Sequence, residues 1–321
     1  MIELVIETKQ GLVQPLVEDG VIWDTERKGV PGKLTFKLLD NGDLNISEGN
    51  AVRMKWDGKN VFFGFIFIIK RDKNRTVNVT AYDQMRYLKN KDTYVFKNKT
   101  ASAIISMLAA DFGLKTGSIA GTGYTIKSRI EDNKTLFDMI YNALDLTLDN
   151  TGKMYVLYDD FGKLTLKNIE SMKTNMVMTN ETAENFDYQT SIDGETYNKI
   201  KLIYENEKTG KRDVFIAQSG ANINAWGVLQ YFDTIEGKDN GAQKANALLG
   251  LYNTPIRTLS LKGCKGYLGD VAARAGASIV VSLKFADQKL QNYLVIEKAK
   301  HTFSNNQHSM DLTLIGGGFS A

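Results

Sequence analysis

The feature that most constrains this chain is a change of hydrophobic period. From residue 2 to about 82, apolar side chains recur every second position. Ile2, Leu4 and Ile6 alternate with Glu3, Val5 and Glu7, and Leu34, Phe36 and Leu38 alternate with Thr35, Lys37 and Leu39. Val52, Met54 and Trp56 alternate with Arg53, Lys55 and Asp57. A period of two buries one face of a strand. Near residue 93 the period becomes helical. Ile104, Ile105, Leu108 and Phe112 share one face of a helix that Thr100 can cap and Gly113 can end. A second helix opens at Thr135, with Asp138 three residues on as a weaker capping-box partner, and carries Leu136, Ile140, Ala143 and Leu144. A hairpin follows, with strands at 154–158 and 163–168 around the turn Asp159-Asp160-Phe161-Gly162. From Met176 the period of two resumes and runs to the end, through Ile200, Leu202 and Tyr204, Ile279, Val281, Leu283 and Phe285, and Met310, Leu312 and Leu314. The chain therefore reads as α+β, predominantly β, with helices concentrated in an inserted block.

Turn signals fit this reading. Asn41-Gly42 makes a turn, Asp57-Gly58 reads as a hairpin turn, and the basic run 70–75 sits where strands at 61–69 and 76–82 must be joined. Residues 61–69 are apolar on both faces, so protein should cover both. A second interruption, 218–257, holds Trp226, Tyr231 and Phe232. It also holds a helix with Asn240 as cap, Gln243 three residues on, and Ala245, Leu248, Leu249 and Tyr252 on its face. Between the first two helices only 124–126 suggests a short strand.

Charge excludes one class of function. Forty basic residues stand against 37 acidic ones, a net of +3, which gives no bulk attraction to nucleic acid. The run 70–75 is a solvated turn. A single cysteine, Cys264, allows no internal disulfide and no multi-cysteine zinc site. The N-terminus alternates and is acidic, unlike a signal peptide, and the longest apolar run is too short to span a membrane.

The search for chemistry is negative. His301 and His308 flank the last hairpin and could meet across strands, with Asp311 as a third metal ligand; ordinary strand-end histidines are the plainer reading. Cys264 lacks the local partners of a nucleophile. Gly263, Gly266 and Gly269 are not the phosphate-binding spacing and precede a strand. Asp159/Asp160 or Glu181/Glu184 could pair as glycosidase acids, but 37 acids produce such pairs by chance. Trp23, Trp56 and Trp226 could form a sugar platform, though packing explains large apolar residues better. The reading assigns no catalytic, cofactor-binding or metal residue, and no cofactor.

Three stretches carry a resemblance. They are VTAYDQMRYL at 79–88 leading into TASAIISML at 100–108, KTLFDMI at 134–140 with YVLYDDFGKL at 155–164, and YLVIEKAKHTF at 293–303 followed by HSMDLTL at 308–314. Together they resemble the baseplate hub proteins of contractile phage tails and phage-tail-like bacteriocins, in the PBSX-like XkdQ/YqbQ branch. The resemblance implies two tail-tube-like antiparallel β-barrels carrying a mixed α/β insertion. On this sequence it implies a first barrel at 1–92, an inserted domain at 93–175 and a second barrel at 176–208 and 262–321. A second insert at 209–261 would pack with the first. It further implies a homotrimer that joins a six-fold tail tube to a three-fold central spike. Its partners would be the tube protein, the spike and other baseplate proteins, without nucleic-acid recognition. The protein would be made in the bacterial cytoplasm and work in the particle. A tail-associated peptidoglycan hydrolase is the alternative, and a carbohydrate-binding tail protein a weaker one.

Overall fold

Alternation becomes strand wherever one face can be buried. The computed structural model describes residues 1–39, 45–206, 209–235, 240–265, 271–285 and 288–316, with backbone only at 285, 288 and 289. The turn expected at Asn41-Gly42 lies outside the described residues. The chain divides into two compact units, Met1–Asp187 with Leu259–Ala321, and Tyr188–Thr258.

The first unit begins with seven strands: β1 (Ile2–Thr8), β2 (Gly11–Val13), β3 (Val21–Glu26), β4 (Lys33–Leu39), β5 (Ala51–Trp56), β6 (Lys59–Arg71) and β7 (Thr76–Tyr82). The expected inward residues are buried: Leu4, Ile6, Leu34, Phe36, Leu38, Val52, Met54, Trp56, Val77, Val79 and Ala81 form one cluster with Trp23 and Phe303. Burying each large side chain contributes about 1.5–3 kcal/mol. Asp57 and Gly58 take positive φ (47° and 73°), so the β5–β6 turn has the primed geometry that matches strand twist. Gly64 is required in β6, because a Cβ there would sit 2.2 Å from the Tyr82 carbonyl oxygen.

The inserted block contains β8 (Lys91–Thr100), α1 (Ala101–Asp111), β9 (Thr116–Ile119), β10 (Thr125–Thr135), α2 (Leu136–Thr151), β11 (Tyr155–Asp159) and β12 (Leu164–Asn168). Both helices start as expected. Thr100 Oγ1 accepts from the Ala103 amide, and Thr135 with Asp138 forms a full capping box. The apolar faces of α1 and α2 meet Phe96, Ile126, Leu157, Leu164 and Leu166 in a second core. The short strand expected at 124–126 is instead the start of the eleven-residue β10, antiparallel to β8. Its sequence, TIKSRIEDNKT, buries few positions, so alternation barely marks it.

The chain then forms β13 (Lys173–Thr179) and β14 (Asn185–Ser191). After the second unit come β18 (Ile256–Lys265), β19 (Ser278–Phe285), β20 (Gln288–Ser304) and β21 (Gln307–Ile315). Among the described residues one large sheet runs in the order β14-β18-β21-β20-β3-β4-β7-β6-β5-β1-β2, with β19 paired to β20 and β13 to β19. The two β regions are thus joined through β3, which is antiparallel to both β4 and β20.

The second unit holds β15 (Lys199–Glu205), β16 (Arg212–Gln218), α3 (Gly220–Trp226), β17 (Gln230–Thr234) and α4 (Gly241–Tyr252). Its sheet has the order β16-β15-β17, and α4 packs Ala245 and Leu248 on Ile200, Leu202 and Ala217. β15 therefore pairs inside this unit, although its alternation reads like that of the large sheet. Alternation identifies a strand but not its neighbours. Asn240 caps α4 without a side-chain hydrogen bond. Its own backbone is left-handed (φ 66°), which departs from the extended geometry an N-cap uses.

Candidate functional site

Two kinds of feature could carry function here: buried polar clusters and exposed strand faces. The main buried cluster lies where the inserted block meets the first strands. Asp83 precedes a 3-10 turn (Gln84–Lys89) and caps it by accepting from the Met85 amide at 3.0 Å. Its other oxygen accepts from the Gly32 amide at 2.9 Å. Gln84 bonds the Lys115 backbone through both ends of its amide, each at 3.0 Å, and donates to Asp159 Oδ2 at 2.9 Å. Asp159 Oδ1 accepts from the Gly162 amide at 2.6 Å, which closes the β11–β12 turn.

Both carboxyls are buried. Burial is the larger cause that pushes each above the usual carboxylate range. The nearby Asp159 charge adds to the effect at Asp83, and Asp160 adds at Asp159. Raised acids in a pair are what a hydrolase uses. Here every carboxylate oxygen already accepts from an amide, so the pair fastens elements together. Of the acids singled out in the sequence, Asp160, Glu181 and Glu184 are exposed.

His301 and His308 do meet across β20 and β21, with Nδ1 and Nε2 2.8 Å apart and rings stacked at 5.1 Å. Both are buried. Asp311 does not join them. It lies three residues from His308 in a strand, hence on the opposite face, and accepts from the Gly263 amide at 3.0 Å. Burial first, then the His308 charge, pushes His301 down to about 3. Cys264 is buried, and burial, aided by Asp311 and Glu184, pushes its thiol up to about 12, far from a nucleophile's range. Gly263 has its amide on Asp311, and Gly266 and Gly269 lie outside the described residues. Trp23 and Trp56 are core residues, while Trp226 is half-buried in the second unit. The basic run 70–75 is exposed, and Asp72 organises its turn.

The exposed apolar residues sit mostly on strands. Val95 and Ile130 are 55% and 70% exposed and face each other across β8 and β10. In the second unit Ile216 and Phe232 flank Lys201 in one row across the sheet, both more than half exposed. Leu12 on β2, at the end of the strand order, and Leu16 in the segment after it are exposed. The outer face of β6 carries Phe63, Phe65 and Phe67. Arg53 lies over Phe63 at 5.2 Å and Arg86 over Phe67 at 5.3 Å, and Tyr82, Tyr87 and Phe161 border the row. Residues 61–69 thus bury one face in the core, while the other face is the half-buried row itself and Ile68 is 40% exposed, so the expected cover on both faces is only partial within this chain. Exposed apolar strand faces and unpaired strand edges are the surface features on which protein contacts are commonly built.

The sequence model described as YqbQ-like matches residues 21–315. The chain belongs to the YqbQ-like family. It is 33% identical to the uncharacterized protein YqbQ of Bacillus subtilis (strain 168), over 98% of this chain and 97% of that protein. The phage-like element PBSX protein XkdQ of the same strain is 32% identical, over 98% and 97%. In fold, the chain is similar to the 43 kDa tail protein of prophage MuSo2 from Shewanella oneidensis. The TM-score is 0.70 at 13% identity, covering 97% of this chain and 98% of that one. It is also similar to the Escherichia coli c3393 protein (TM-score 0.56, 12% identity, 99% and 79% covered). That protein is described as a type VI secretion component with structural similarity to the T4 tail proteins gp27 and gp5.

For a YqbQ-like protein, the sequence reading missed the Asp83–Gln84–Asp159 junction. These residues are scattered over 76 positions and no spacing rule links them. The one local signal was Asp83 ahead of a short turn, an N-cap pattern.

Proposed function

We propose that this YqbQ-like protein is the structural hub of a contractile tail or tailocin-like baseplate, a homotrimer that joins the six-fold tail tube to the three-fold central spike. The observation that carries the reading is the doubled β architecture. In the first half, the segment after β2 returns to β4 through the Val17–Leu38 bridge, with Glu18 N donating to Lys37 O at 2.9 Å and Leu39 N to Leu16 O at 3.3 Å. That return gives β4-β7-β6-β5-β1-β2 the makings of one barrel. The strands β13, β19, β20, β21, β18 and β14 are successive neighbours in the same sheet, and in this reading they curl into the second barrel. Two barrels per chain and three chains give six barrels around an axis, which matches a six-fold ring on one side and a trimeric spike on the other. The names of its relatives, a PBSX element protein and prophage tail proteins, favour a tail particle as its place of work. Its partners in this reading are the tube protein, the spike and other baseplate proteins. No helix among the described residues is long and apolar enough to cross a membrane.

The test is sedimentation of the chain with and without its cognate spike, together with the protein composition of purified particles. A trimer that co-sediments with the spike, and a hub-level copy number in particles, support the reading. A chain that stays monomeric with the spike and is missing from particles sinks it. The hydrolase reading predicts turbidity loss from cell walls that Asp159→Asn abolishes. The commitment of Asp83 to backbone amides, and of Asp159 to the Gly162 amide and the Gln84 side chain, favours no loss.

A further inference from the structure

Three cationic side chains, Lys167, Lys173 and Arg274, line one pocket of about 340 Å³ in the first unit. Asp160 is the one acid among its lining residues, and Trp23, Tyr158 and Phe161 provide apolar wall. Arg274 is the central group. Its guanidinium carbon lies 4.0 Å from the centroid of the Tyr158 ring and 5.8 Å from that of Trp23. The Lys167 ammonium lies over the same Tyr158 ring at 5.9 Å. Stacking fixes the plane of the guanidinium and leaves its N–H edge to find an acceptor.

That acceptor is missing. Arg274 Nε is sealed from solvent and has no hydrogen-bond partner among the described residues. Asp83 and Asp159 act on Arg274 through space, but their oxygens are taken up by Gly32, Met85, Gln84 and Gly162. A buried unsatisfied donor is unfavourable and leaves the Arg274 charge uncompensated at the wall of the pocket, where the rest of the side chain faces an incoming group. The arrangement has a preoriented fork, two flanking ammonium groups and an apolar wall.

We propose that this pocket docks a carboxylate side chain from an acidic segment of a partner protein. A planar carboxylate matches the guanidinium fork. The aliphatic stem of a glutamate would use the Trp23 and Phe161 surfaces, which a fully hydrated inorganic anion cannot. The pocket is lined from β3, β6, the β11–β12 hairpin, β13 and the segment before β19, so an occupant ties these elements together. The proposal is independent of the trimer.

The test uses the full chain and a fluorescein-labelled tetraglutamate peptide, with tetraglutamine as control, followed by fluorescence anisotropy at low salt. Saturable binding of tetraglutamate alone is expected. Arg274→Met should weaken it about tenfold or more, and Arg274→Lys should fail to restore it because the planar fork is gone. Lys167→Gln, at a position outside the core, should weaken it by about threefold, while Lys97→Gln on β8 leaves it unchanged. Absence of binding to the wild type overturns the proposal. So does equal binding by the wild type, Arg274→Met and Lys167→Gln. Inorganic phosphate that stabilises the wild type but not Arg274→Met, with no binding of the peptide, reassigns the pocket to a free anion and also overturns it.

Discussion

Acid should loosen the large sheet through His301. The imidazole is buried between Trp23, whose ring centroid is 4.7 Å away, and His308 at 5.1 Å. The Ala273 backbone and Arg274 also act on it. The folded protein holds it neutral down to about pH 3, whereas the unfolded chain protonates it near 6.5. Between those values the unfolded state binds one more proton, so stability falls as pH falls. The loss from this residue between pH 7.5 and 5.0 is about 2 kcal/mol. Asp83 and Asp159 act with the opposite sign. Their raised folded values make the folded state bind more protons, so they favour folding as pH drops. A difference between variants isolates the histidine. His301→Asn keeps an acceptor near the Nδ1 position, facing His308 Nε2, but removes the titration. Urea unfolding followed by tryptophan fluorescence should show the wild type losing about 2 kcal/mol more than His301→Asn over that range. Parallel pH profiles for the two proteins would refute the reasoning.

Further outcomes follow from local structure. Thr135→Ala removes the α2 capping box and should cost about 1 kcal/mol, with Thr135→Ser restoring most of it, as measured by thermal unfolding. Gly64→Ala forces a Cβ against the Tyr82 carbonyl and should cost about 2–3 kcal/mol or leave the protein insoluble. Cys264 should resist maleimide in the native protein and react fully once unfolded, because it is buried and its thiol is pushed up to about 12.

The legibility of this chain followed the physics of each element. The strands β1, β4, β5, β7 and β21 are half-buried, so their alternation marked both the element and its inward residues. The helices α1 and α2 carried apolar faces and caps that repeat local rules. The strand β8 escaped notice and β10 was read only at its start, because they bury one sparse face and expose Val95 and Ile130, which blurs the period. Asn240 looked like a cap by composition, but its backbone is left-handed, a fact no spacing reveals. The meeting of His301 and His308 was readable because a hairpin fixes cross-strand distance. Asp311 was wrongly offered as their third partner, although its three-residue spacing from His308 in a strand already put it on the opposite face. The Asp83–Gln84–Asp159 junction and Arg274 were not readable at all. They are brought together by tertiary contacts between the first strands, the inserted block and the segment before β19, and sequence distance hides such contacts.

The central claim is that this YqbQ-like protein is a trimeric hub between tube and spike. An electron cryo-microscopy reconstruction of the assembled particle tests it most directly. The account predicts three copies of this chain in a ring directly beneath the tube, with two β-barrels per chain giving six around the axis and the spike on the far side. A particle in which the chain is a peripheral monomer, or whose tube meets the spike without it, would contradict the account.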